Sequence, residues 1–575
     1  MAVHNSDVVA MFQEMADLLE LEDESTFRIR AYRQAATTID ELGRNLGQMI
    51  ENGEDLSELQ GIGKDLAGKI EGIIETGRFD ELEELRKRTT PSLRELTHVP
   101  QIGPKRARIL HEKLGIENLD DLEEAVNEGR LRELKGFGKR AEEQILSAME
   151  TGRRKKERRL LSEVEEAAES LEAFLNSLNG VKDACVAGSY RRKAETVGDL
   201  DSVVSSSQPG KIIDQFVEYE DIDQVINKGK ASSSVLLRSG LQVDLRVVKP
   251  ESYGSALIYF TGAKNHQLTL RDMALDKDQK LNEYGLFDKK DKQLAGKTEK
   301  DIYKAFNLAY IEPELRENRG EIDAAAKQNG LPKLIDIDDI RGDLHCHTTW
   351  SDGRASVEKM AETAKERGYD YLAITDHSKR MRMVNGLSGK ELRKQAEEIK
   401  KVDEKIKGLT LLAGCEVDIL EDGTLDLSDD DLNDLDVVIC SIHSNMNLSS
   451  RKQTDRMLRA IENPNCQIIG HMRGRKVLER DEIDIDLERL LKEAKDAGCA
   501  IEINADPHRR DLDENGVRFA LDIGLKFTVS TDAHSAAGLD QMKYGVWTAR
   551  RGWVEKKDVL NTGTMNSLRK ALRSR

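Results

Sequence analysis

The sequence predicts a multidomain chain in which an α-helical N-terminal region precedes an α/β domain and a C-terminal, distorted β/α barrel. Three observations support this prediction. Similar glycine turns recur in the first 150 residues, a mixed strand and helix pattern follows to about residue 311, and strands alternate with helices from Arg341 onward. At roughly 150 residues per domain, the 575 residues correspond to about three or four domains.

The composition excludes several classes of protein. Hydrophobic residues make up 38% of the chain and charged residues 34%, which is typical of a soluble globular protein and not of a membrane or fibrous one. We find no apolar run near the ~20 residues of a membrane-spanning helix. Residues 1–20 contain no Lys or Arg, so no signal peptide is expected. The six cysteines form no CxxC pair, which favours a cytoplasmic protein over a disulfide framework.

Charge and histidine content are unevenly distributed along the chain. The formal net charge of −18 normally argues against a nucleic-acid partner, but most of the acidic surplus lies before residue 341. Seven of the 11 histidines lie from His345 onward. Two explanations account for the acidic surplus: the acidic residues lie on faces that point away from DNA, or the protein comes from a salt-adapted host. The sequence leaves both explanations open.

Three glycine turns in the N-terminal region are each followed by a lysine and a helix. The predicted phosphate-binding residues of these turns are Gly61, Gly63, Lys64, Gly103, Lys105, Gly136, Gly138 and Lys139. Helix N-terminal N–H groups exposed by glycine bind phosphate, and the lysine adds charge. One such turn fits a plain packing hairpin equally well, whereas three favour a DNA backbone, and they resemble helix-hairpin-helix motifs. Six basic residues within 151–159 follow, in either a solvated linker or a DNA-facing segment.

Three carboxylates are the main chemical signal of the middle domain. Asp199 and Asp201 lie two apart on a predicted strand, so both side chains leave the same face, and Asp244 lies on another strand. Like charges repel unless a cation lies between them, and two Mg²⁺ ions roughly 3.5–4 Å apart would satisfy the group. Gly188 and Ser189, with Arg191 and Arg192, supply donors for a triphosphate.

Residues 1–315 resemble an X-family DNA polymerase, the group that includes DNA polymerase beta. The resemblance implies a nucleotidyltransferase palm with a thumb, Mg²⁺ or Mn²⁺ on Asp199 and Asp201, and Asp244 assisting deprotonation of the primer 3′-hydroxyl. The implied nucleotide-binding residues are Gly188, Ser189, Arg192, Gly198, Tyr259, Phe260 and Gly262. The sequence departs from the family at Lys264 and Gln267, where base contacts are expected. His266 is expected to be an ordinary surface histidine.

The C-terminal region places histidines and carboxylates after successive strands. They are His345, His347, Asp352, His377, Glu416, His443, His471, Asp532 and His534. Strand C-terminal ends meet at the active-site face of a β/α barrel. Nine ligands exceed the needs of one ion and predict two or three metals, with histidine favouring Zn²⁺, Mn²⁺ or Fe²⁺ over Mg²⁺.

This region resembles the PHP (polymerase and histidinol phosphatase) domain, which implies metal-assisted hydrolysis of a phosphoester. The resemblance assigns His345, His347, Glu416 and Asp532 to one metal. Glu416 bridges to a second ion on His443 and His471, and Asp352, His377 and His534 hold the third. We expect the additional His508 to be a DNA- or phosphate-facing loop residue.

Lys69 occupies the position at which polymerase beta places its lyase lysine, and Tyr32 also matches that pocket. The resemblance implies removal of a 5′-deoxyribose phosphate through a Schiff base on Lys69. Where the family's pocket has a histidine and additional lysines, this sequence has Phe27, Arg28, Glu58 and Asp65. Acidic neighbours raise the pKa of an amine and weaken it as a nucleophile.

The leading hypothesis is a bacterial or archaeal X-family polymerase that fills short gaps in base excision repair, with PHP 3′–5′ exonuclease and abasic-site endonuclease activity. We expect a monomer whose partners are gapped or primer-template DNA and dNTPs. The expected domains are 1–90 helical and DNA-binding, 91–159 fingers, 160–250 palm, 251–315 thumb, 316–340 linker and 341–575 PHP. Alternatives are a PHP phosphoesterase with a degenerate polymerase part and a non-catalytic DNA-binding scaffold.

Overall fold

The structure, a computed structural model, describes residues 5–22, 24–40, 42, 46–88, 96, 97, 99, 102–134, 137, 145 and 158–573. The chain divides into two compact units, Met1–Arg159 and Leu160–Arg575. Within the described residues, no helix has the length and apolar character required to cross a membrane.

The N-terminal unit is α-helical, as the sequence predicts. Its α-helices and short 3-10 helices span Asn5–Leu21, Thr26–Asp40, Leu46–Glu51, Leu56–Glu58, Lys64–Thr76, Asp80–Arg88, Pro104–Leu114, Leu119–Asn127 and Leu131–Glu133. Phe12, Tyr32 and Phe79 form an aromatic cluster in its core, with ring centroids 5.3 to 6.1 Å apart. Each helix buries one apolar stripe in this core and leaves its charged face in solvent.

Two of the predicted glycine turns begin helices. Gly63 directly precedes Lys64–Thr76, and Gly103 directly precedes Pro104–Leu114. Gly61 has a φ of 81°, in the left-handed region that favours glycine. The third predicted turn lies outside the described residues, together with its Gly136, Gly138 and Lys139.

The first part of the second unit contains a five-stranded sheet. In spatial order its strands are Asp183–Val186, Asp199–Ser205, Gln242–Val248, Ser232–Leu237 and Ile222–Lys228. The second and third of these strands are parallel, and the other pairs are antiparallel. The apolar faces of helices Leu161–Ser177 and Pro209–Phe216 pack against the sheet. Of the five strands, the sequence did not predict Ile222–Lys228, which has an exposed edge position and no apolar alternation.

A smaller subdomain follows the sheet. Its helices are Tyr253–Thr261, Lys264–Leu275 and Glu299–Ala305, and its three antiparallel strands are Lys280–Asn282, Gly285–Phe287 and Gln293–Ala295. Gly254 lies so close to the third helix that a Cβ there would be 2.0 Å from the carbonyl carbon of Thr298. Only glycine allows this approach.

The segment 316–340, expected to be a linker, is packed against its neighbours. Arg316 is fully buried, and its NH1 lies 2.6 Å from Glu299 Oε1. Glu321 is also fully buried, and its Oε1 lies 2.6 Å from Nδ1 of His266. The expectation that His266 is a surface residue is therefore wrong. The sequence could not reveal its burial because its partners, Glu321 and Tyr303, are distant along the chain.

Seven parallel strands form the C-terminal barrel in sequential order. They are Gly342–Asp343, Tyr371–Ile374, Thr410–Asp418, Val437–Ser441, Ile468–Ile469, Ala500–Asn504 and Phe527–Ser530. A parallel bridge between Cys346 and Ala533 links the first strand region to the last. The α-helices of this part are Val357–Glu366, Gly389–Lys405, Asp429–Asn433, Ser450–Glu462, Leu487–Ala497, Glu514–Asp522, Met542–Arg551 and Met565–Arg573.

One end of the barrel is filled by apolar side chains. Leu568 and Leu572 of the last helix pack against Leu344, Tyr371 and other buried residues of the strands. The opposite, C-terminal ends of the strands carry the polar residues described below, which is the usual active-site face of this architecture.

Candidate active sites

The three palm carboxylates lie on two adjacent interior strands of the five-stranded sheet. Asp201 and Asp244 are paired in register on adjacent parallel strands, and Asp199 begins the first of these strands. The Ser234 hydroxyl donates to Oδ1 of Asp244, and the Gln242 amide donates to its Oδ2 at 2.8 Å. These two donors fix the orientation of the Asp244 carboxylate.

The electrostatics of this carboxylate group fit bound divalent cations. Burial and the negative charges of Asp199 and Asp244 raise the pKa of Asp201 to about 7. Without a cation the ionised form of Asp201 is unfavourable, and a divalent cation between the carboxylates would stabilise it. Oxygen ligands of this kind suit Mg²⁺ or Mn²⁺.

The turn before the carboxylates requires glycine. Gly188 has a φ of 60°, and a Cβ there would lie 2.7 Å from Oδ2 of Asp201. Ser189 follows in a one-turn helix, Gly188–Arg191, and Gly198 directly precedes the Asp199 strand. Gly188 thus lies against the Asp201 carboxylate, and Gly198 adjoins Asp199 at the start of the same strand.

The two arginines of this turn have different environments. Arg191 contacts both carboxylate oxygens of Glu299 at 2.8 Å, and Glu299 is also paired with Arg316. This buried pair ties the palm to the thumb, so Arg191 is not oriented toward a triphosphate as the sequence led us to expect. Arg192 donates from NH1 to the carbonyl of Thr261 at 2.7 Å and from Nε to Glu317 at 3.0 Å. These bonds use only part of its guanidinium.

The aromatic pair Tyr259 and Phe260 ends the first thumb helix. The rings lie 5.1 Å apart in an edge-to-face arrangement, and Tyr259 is 36% exposed. The Gln267 amide donates to the carbonyls of Tyr259 and Gly262, so it holds the backbone turn after the pair. This role explains a glutamine at a position where the sequence departs from the polymerase pattern.

The nine predicted barrel ligands lie together at the C-terminal ends of the strands. Nε2 of His345 is 3.5 Å from both Glu416 Oε2 and Asp532 Oδ1, and Nε2 of His347 is 3.6 and 3.1 Å from the same atoms. Ligands of a tetrahedral ion with bonds of ~2.1 Å lie about 3.4 Å apart. His345, His347 and Asp532 have the spacing of one metal site, and Glu416 lies beside the two histidines and also groups with His377 and His443.

Two further groups adjoin this one. Oε1 of Glu416 lies 3.1 Å from His443 Nε2 and 2.9 Å from His471 Nε2, so Glu416 lies between the first group and the second. Oδ2 of Asp352 lies 3.5 Å from His377 Nε2 and 3.4 Å from His534 Nε2. Asp352 and His534 are more exposed than the other ligands, so the third group faces solvent.

The donor set of the barrel fits metal ions. Within the described residues, Nε2 of His345, Nε2 of His443 and Oε2 of Glu416 are buried without a hydrogen-bond partner. Burial and the neighbouring His534 and His377 lower the pKa of His347 to about 3, so its imidazole is neutral at pH 7. Burial alone would raise the pKa of Glu416, but the surrounding histidines lower it well below its usual value.

Two carboxylates that contact the predicted histidine ligands were not predicted from the sequence. Oε1 of Glu502 lies 2.7 Å from Nδ1 of His345, and Oδ1 of Asp418 lies 3.2 Å from Nδ1 of His443. Such contacts fix the ring orientation and leave Nε2 to face the cluster. Glu502 and Asp418 are both fully buried within strands. An acidic residue within a buried strand is the sequence signal that could have identified them.

The loop after strand Ala500–Asn504 adds an arginine to the barrel site. Nε of Arg509 lies 3.4 Å from Oδ2 of Asp532, and its side chain is 16% exposed. His508 lies in the same loop, with Nδ1 3.3 Å from Oε1 of Glu479. Arg509, which borders the predicted metal ligand Asp532, was not singled out from the sequence.

Lys69 and Tyr32 are neighbours in the N-terminal unit. Nζ of Lys69 donates to the Tyr32 hydroxyl at 2.9 Å and to Glu81 Oε2 at 3.1 Å, and it lies 3.0 Å from Asp65 Oδ2. Burial alone would lower the pKa of Lys69, but hydrogen bonds with Tyr32, Asp65 and Glu81 raise it above its ordinary value. The second acidic neighbour is thus Glu81, not the expected Glu58.

Family models match four parts of the chain. A helix-hairpin-helix domain matches residues 3–79, and a SAM-like helix-hairpin-helix tandem matches residues 93–151. The DNA polymerase beta thumb matches residues 256–317, and the PHP domain matches residues 343–506.

One relative covers the whole chain. The DNA polymerase/3'-5' exonuclease PolX of Bacillus subtilis (strain 168) is 35% identical over 569 residues, which are 98% of this chain and 99% of that protein. The chain belongs to the PolX family. The resemblance drawn from the sequence and the predicted fold class are therefore confirmed, and divalent-metal dependence follows from the family and the geometry of the ligands.

Other relatives match a smaller part of this PolX-family chain. A probable phosphatase of Thermoanaerobacter sp. (strain X514) is 32% identical over 232 residues, 38% of this chain and 89% of that protein. A probable phosphatase of Caldicellulosiruptor saccharolyticus is 35% identical over 167 residues, 28% of this chain and 64% of that protein. These two matches cover 38% and 28% of the chain, whereas the match to the Bacillus protein covers 98% of it.

Proposed function

We propose that the chain is a DNA-directed DNA polymerase that fills short gaps during base excision repair, and that its barrel is a 3′–5′ exonuclease and abasic-site endonuclease. The observation that supports this proposal most directly is that one chain holds two sets of candidate metal ligands: the carboxylates Asp201 and Asp244, in register in the palm, and the cluster of nine predicted histidine and carboxylate ligands in the barrel. A degenerate polymerase would not be expected to retain the first set.

In the palm, Asp199 and Asp201 would hold two divalent ions, with Asp244 beside them. Such ions would neutralise the triphosphate and lower the pKa of the primer 3′-hydroxyl. Asp244, oriented by Ser234 and Gln242, is suited to accept the proton of that hydroxyl. Ser189, Gly198 and Arg192 would bind the triphosphate, since all three lie beside the carboxylates in the turn and strand that carry them.

The aromatic pair is proposed to orient the incoming sugar. Tyr259 and Phe260 form a rigid edge-to-face pair, and Gln267 fixes the turn to Gly262. A rigid aromatic wall selects substrate shape at low entropic cost. This arrangement supports discrimination against a 2′-hydroxyl.

In the barrel, His345, His347, Glu416 and Asp532 would hold one ion, His443 and His471 would share Glu416 with a second, and Asp352, His377 and His534 would hold a third. Mn²⁺, Zn²⁺ or Fe²⁺ would supply Lewis acidity and activate water for attack on a phosphodiester. Glu502 and Asp418 orient the imidazoles of two ligands. Arg509, next to Asp532, would bind a phosphate oxygen of the strand being cleaved.

The N-terminal turns are proposed to bind the DNA backbone. Gly63 and Gly103 have φ values of −79° and −77°, and a Cβ at either would meet no atom within 4 Å. The chain itself therefore does not require glycine at these positions. A closely approaching external phosphate would explain it, because both residues expose the first N–H groups of a helix. The exposed Lys64 and Lys105 add charge at the same helix starts.

One experiment separates the proposed function from its alternatives. The full chain is incubated with 5′-labelled primer in a one-nucleotide gap, with dNTPs and Mg²⁺ or Mn²⁺, and separately with a small phosphomonoester. Templated one-nucleotide extension supports the polymerase, and primer shortening without dNTPs supports the exonuclease. Phosphomonoester hydrolysis without either DNA reaction would instead indicate a phosphatase with an inactive palm.

A further inference from the structure

The palm loop between Ser189 and Asp199 is bound by arginines of the barrel. NH1 of Arg551 donates to the carbonyl of Arg192 at 2.7 Å, and NH2 of Arg510 donates to the carbonyl of Lys193 at 3.1 Å. The guanidinium of Arg475 contacts both carboxylate oxygens of Glu195. Three residues of this palm loop, hereafter the phosphate loop, each have a barrel arginine as partner.

These contacts are shielded from water. Arg510 and Arg551 are 1% and 5% exposed, and the side chain of Arg475 is 15% exposed. Charge-assisted hydrogen bonds are roughly twice as strong as neutral ones. Lys193 has a φ of 55°, and its Nζ lies 4.2 Å from the ring centroid of the barrel residue Trp547. The barrel therefore fixes the backbone of the phosphate loop at consecutive positions.

Arg551 is also linked to the side chain of Arg192 through Glu317. Oε1 of Glu317 lies 3.0 Å from Nε of Arg192 and 3.0 Å from NH2 of Arg551. The same NH2 lies 2.8 Å from Oε1 of Glu514, a barrel residue. One barrel arginine thus contacts both the carbonyl of Arg192 and the carboxylate that holds the Arg192 guanidinium.

We propose that Arg551 is a positioning residue for nucleotide addition, and that the barrel, through Arg551, Arg510 and Arg475, completes the nucleotide pocket of the palm. Arg551 holds the Arg192 guanidinium in the orientation that receives the triphosphate. This inference rests on the proposed polymerase function. It gives the barrel a second role, in binding dNTP, that is independent of its own metal ligands.

The variant Arg551→Lys tests the proposal in the full chain. Lysine keeps a positive charge beside Glu317 and Glu514 but replaces two donor nitrogens by one, so it cannot retain the bond to the Arg192 carbonyl as well. The dNTP dissociation constant, measured on gapped DNA with a dideoxy-terminated primer, should rise about fivefold to tenfold, as expected for one lost hydrogen bond. DNA affinity and primer shortening by the barrel should stay within about twofold of wild type.

Arg550→Lys is the matched control on the same helix. Arg550 donates from Nε to Glu314 at 2.7 Å and from NH1 to the carbonyl of Ile335 at 2.9 Å. It joins the barrel to the neighbouring segments, and its hydrogen-bond and ion-pair partners among the described residues, Glu314, Ile335 and Asp336, lie outside the phosphate loop. Its dNTP dissociation constant should equal that of wild type. Equal weakening in both variants, or no weakening in Arg551→Lys, would overturn the proposal.

A double variant shows whether the effect passes through Arg192. Arg192→Lys alone should weaken dNTP binding, and adding Arg551→Lys should then cost little more, because the group it positions is gone. Fully additive losses would overturn the proposal. Failure of the proposed function has a different signature: no nucleotide addition by wild type, or unchanged dNTP affinity in Arg192→Lys.

Discussion

Replacing Gly188 by alanine tests whether the position of the Asp201 carboxylate controls nucleotide addition. Gly188 has a φ of 60°, and a Cβ there would lie 2.7 Å from Asp201 Oδ2. Since real Cβ contacts are essentially never shorter than 3.0 Å, either the carboxylate or the turn carrying Ser189 must move by at least a few tenths of an ångström. Movement of the Asp201 carboxylate toward Asp199 or Asp244 is opposed by their negative charges.

Two magnitudes follow from this geometry. A residue other than glycine in the left-handed region costs about 1–2 kcal/mol of stability. A displacement of ~1 Å in a catalytic group costs roughly 10²-fold in rate, so a smaller shift should lower the insertion rate about tenfold or more. The loss should appear in the rate of the chemical step, because the altered group is a proposed metal ligand.

Gly180→Ala separates backbone strain from the effect on Asp201. Gly180 also has a positive φ, 104°, but the nearest atom to a Cβ there is Ile212 Cδ1 at 3.8 Å. Both variants should lower the thermal unfolding midpoint, and only Gly188→Ala should slow single-turnover insertion into gapped DNA. Similar insertion rates in the two variants would refute the reasoning and show that the carboxylate is not tightly placed.

Three further predictions address the other sites. Asp244→Ala should slow primer extension by roughly 10³-fold and leave primer shortening intact, whereas His345→Ala should do the reverse; shared loss of both activities would contradict separate metal sites. Plotted logarithmically, DNA affinity should fall linearly with salt, and Lys64→Ala should reduce the slope by about 1; a flat plot would contradict backbone binding. Borohydride should trap little Lys69 adduct on a 5′-incised abasic substrate at pH 7, because its raised pKa keeps the amine protonated. Trapping should increase as the pH rises and in Glu81→Gln, and strong trapping by wild type at pH 7 would contradict this.

The sequence was sufficient to predict which barrel residues converge. Glu416 lies near the C-terminal end of strand Thr410–Asp418, and the other predicted ligands follow strands of the parallel sheet, whose C-terminal ends meet by construction. Thus His345 and Asp532, which follow the first and last strands, lie 3.5 Å apart although they are far apart in the chain. In the palm, the pairing of two parallel strands places Asp201 opposite Asp244.

The sequence was not sufficient to predict partners that depend on packing. His266 looks like a polar helix residue, and only the fold of the segment 316–340 buries it against Glu321. Arg191 and Arg192 are adjacent and chemically alike, yet one is held by Glu299 and the other by Glu317. No local pattern distinguishes them, because the carboxylates come from later elements whose approach is set by tertiary structure.

The net charge of −18 is not the charge that DNA would meet. Glu416, Asp532, Glu502 and Asp418 are buried in the barrel, and Asp201 lies among the carboxylates of the palm. Divalent cations at both sites would cancel part of this charge, and the remaining buried carboxylates face histidines or backbone N–H groups and not solvent. The exposed helix starts at Gly63 and Gly103 carry lysines instead. Part of the acidity counted in the net charge therefore belongs to the machinery proposed to act on DNA, although most of the acidic surplus lies before residue 341.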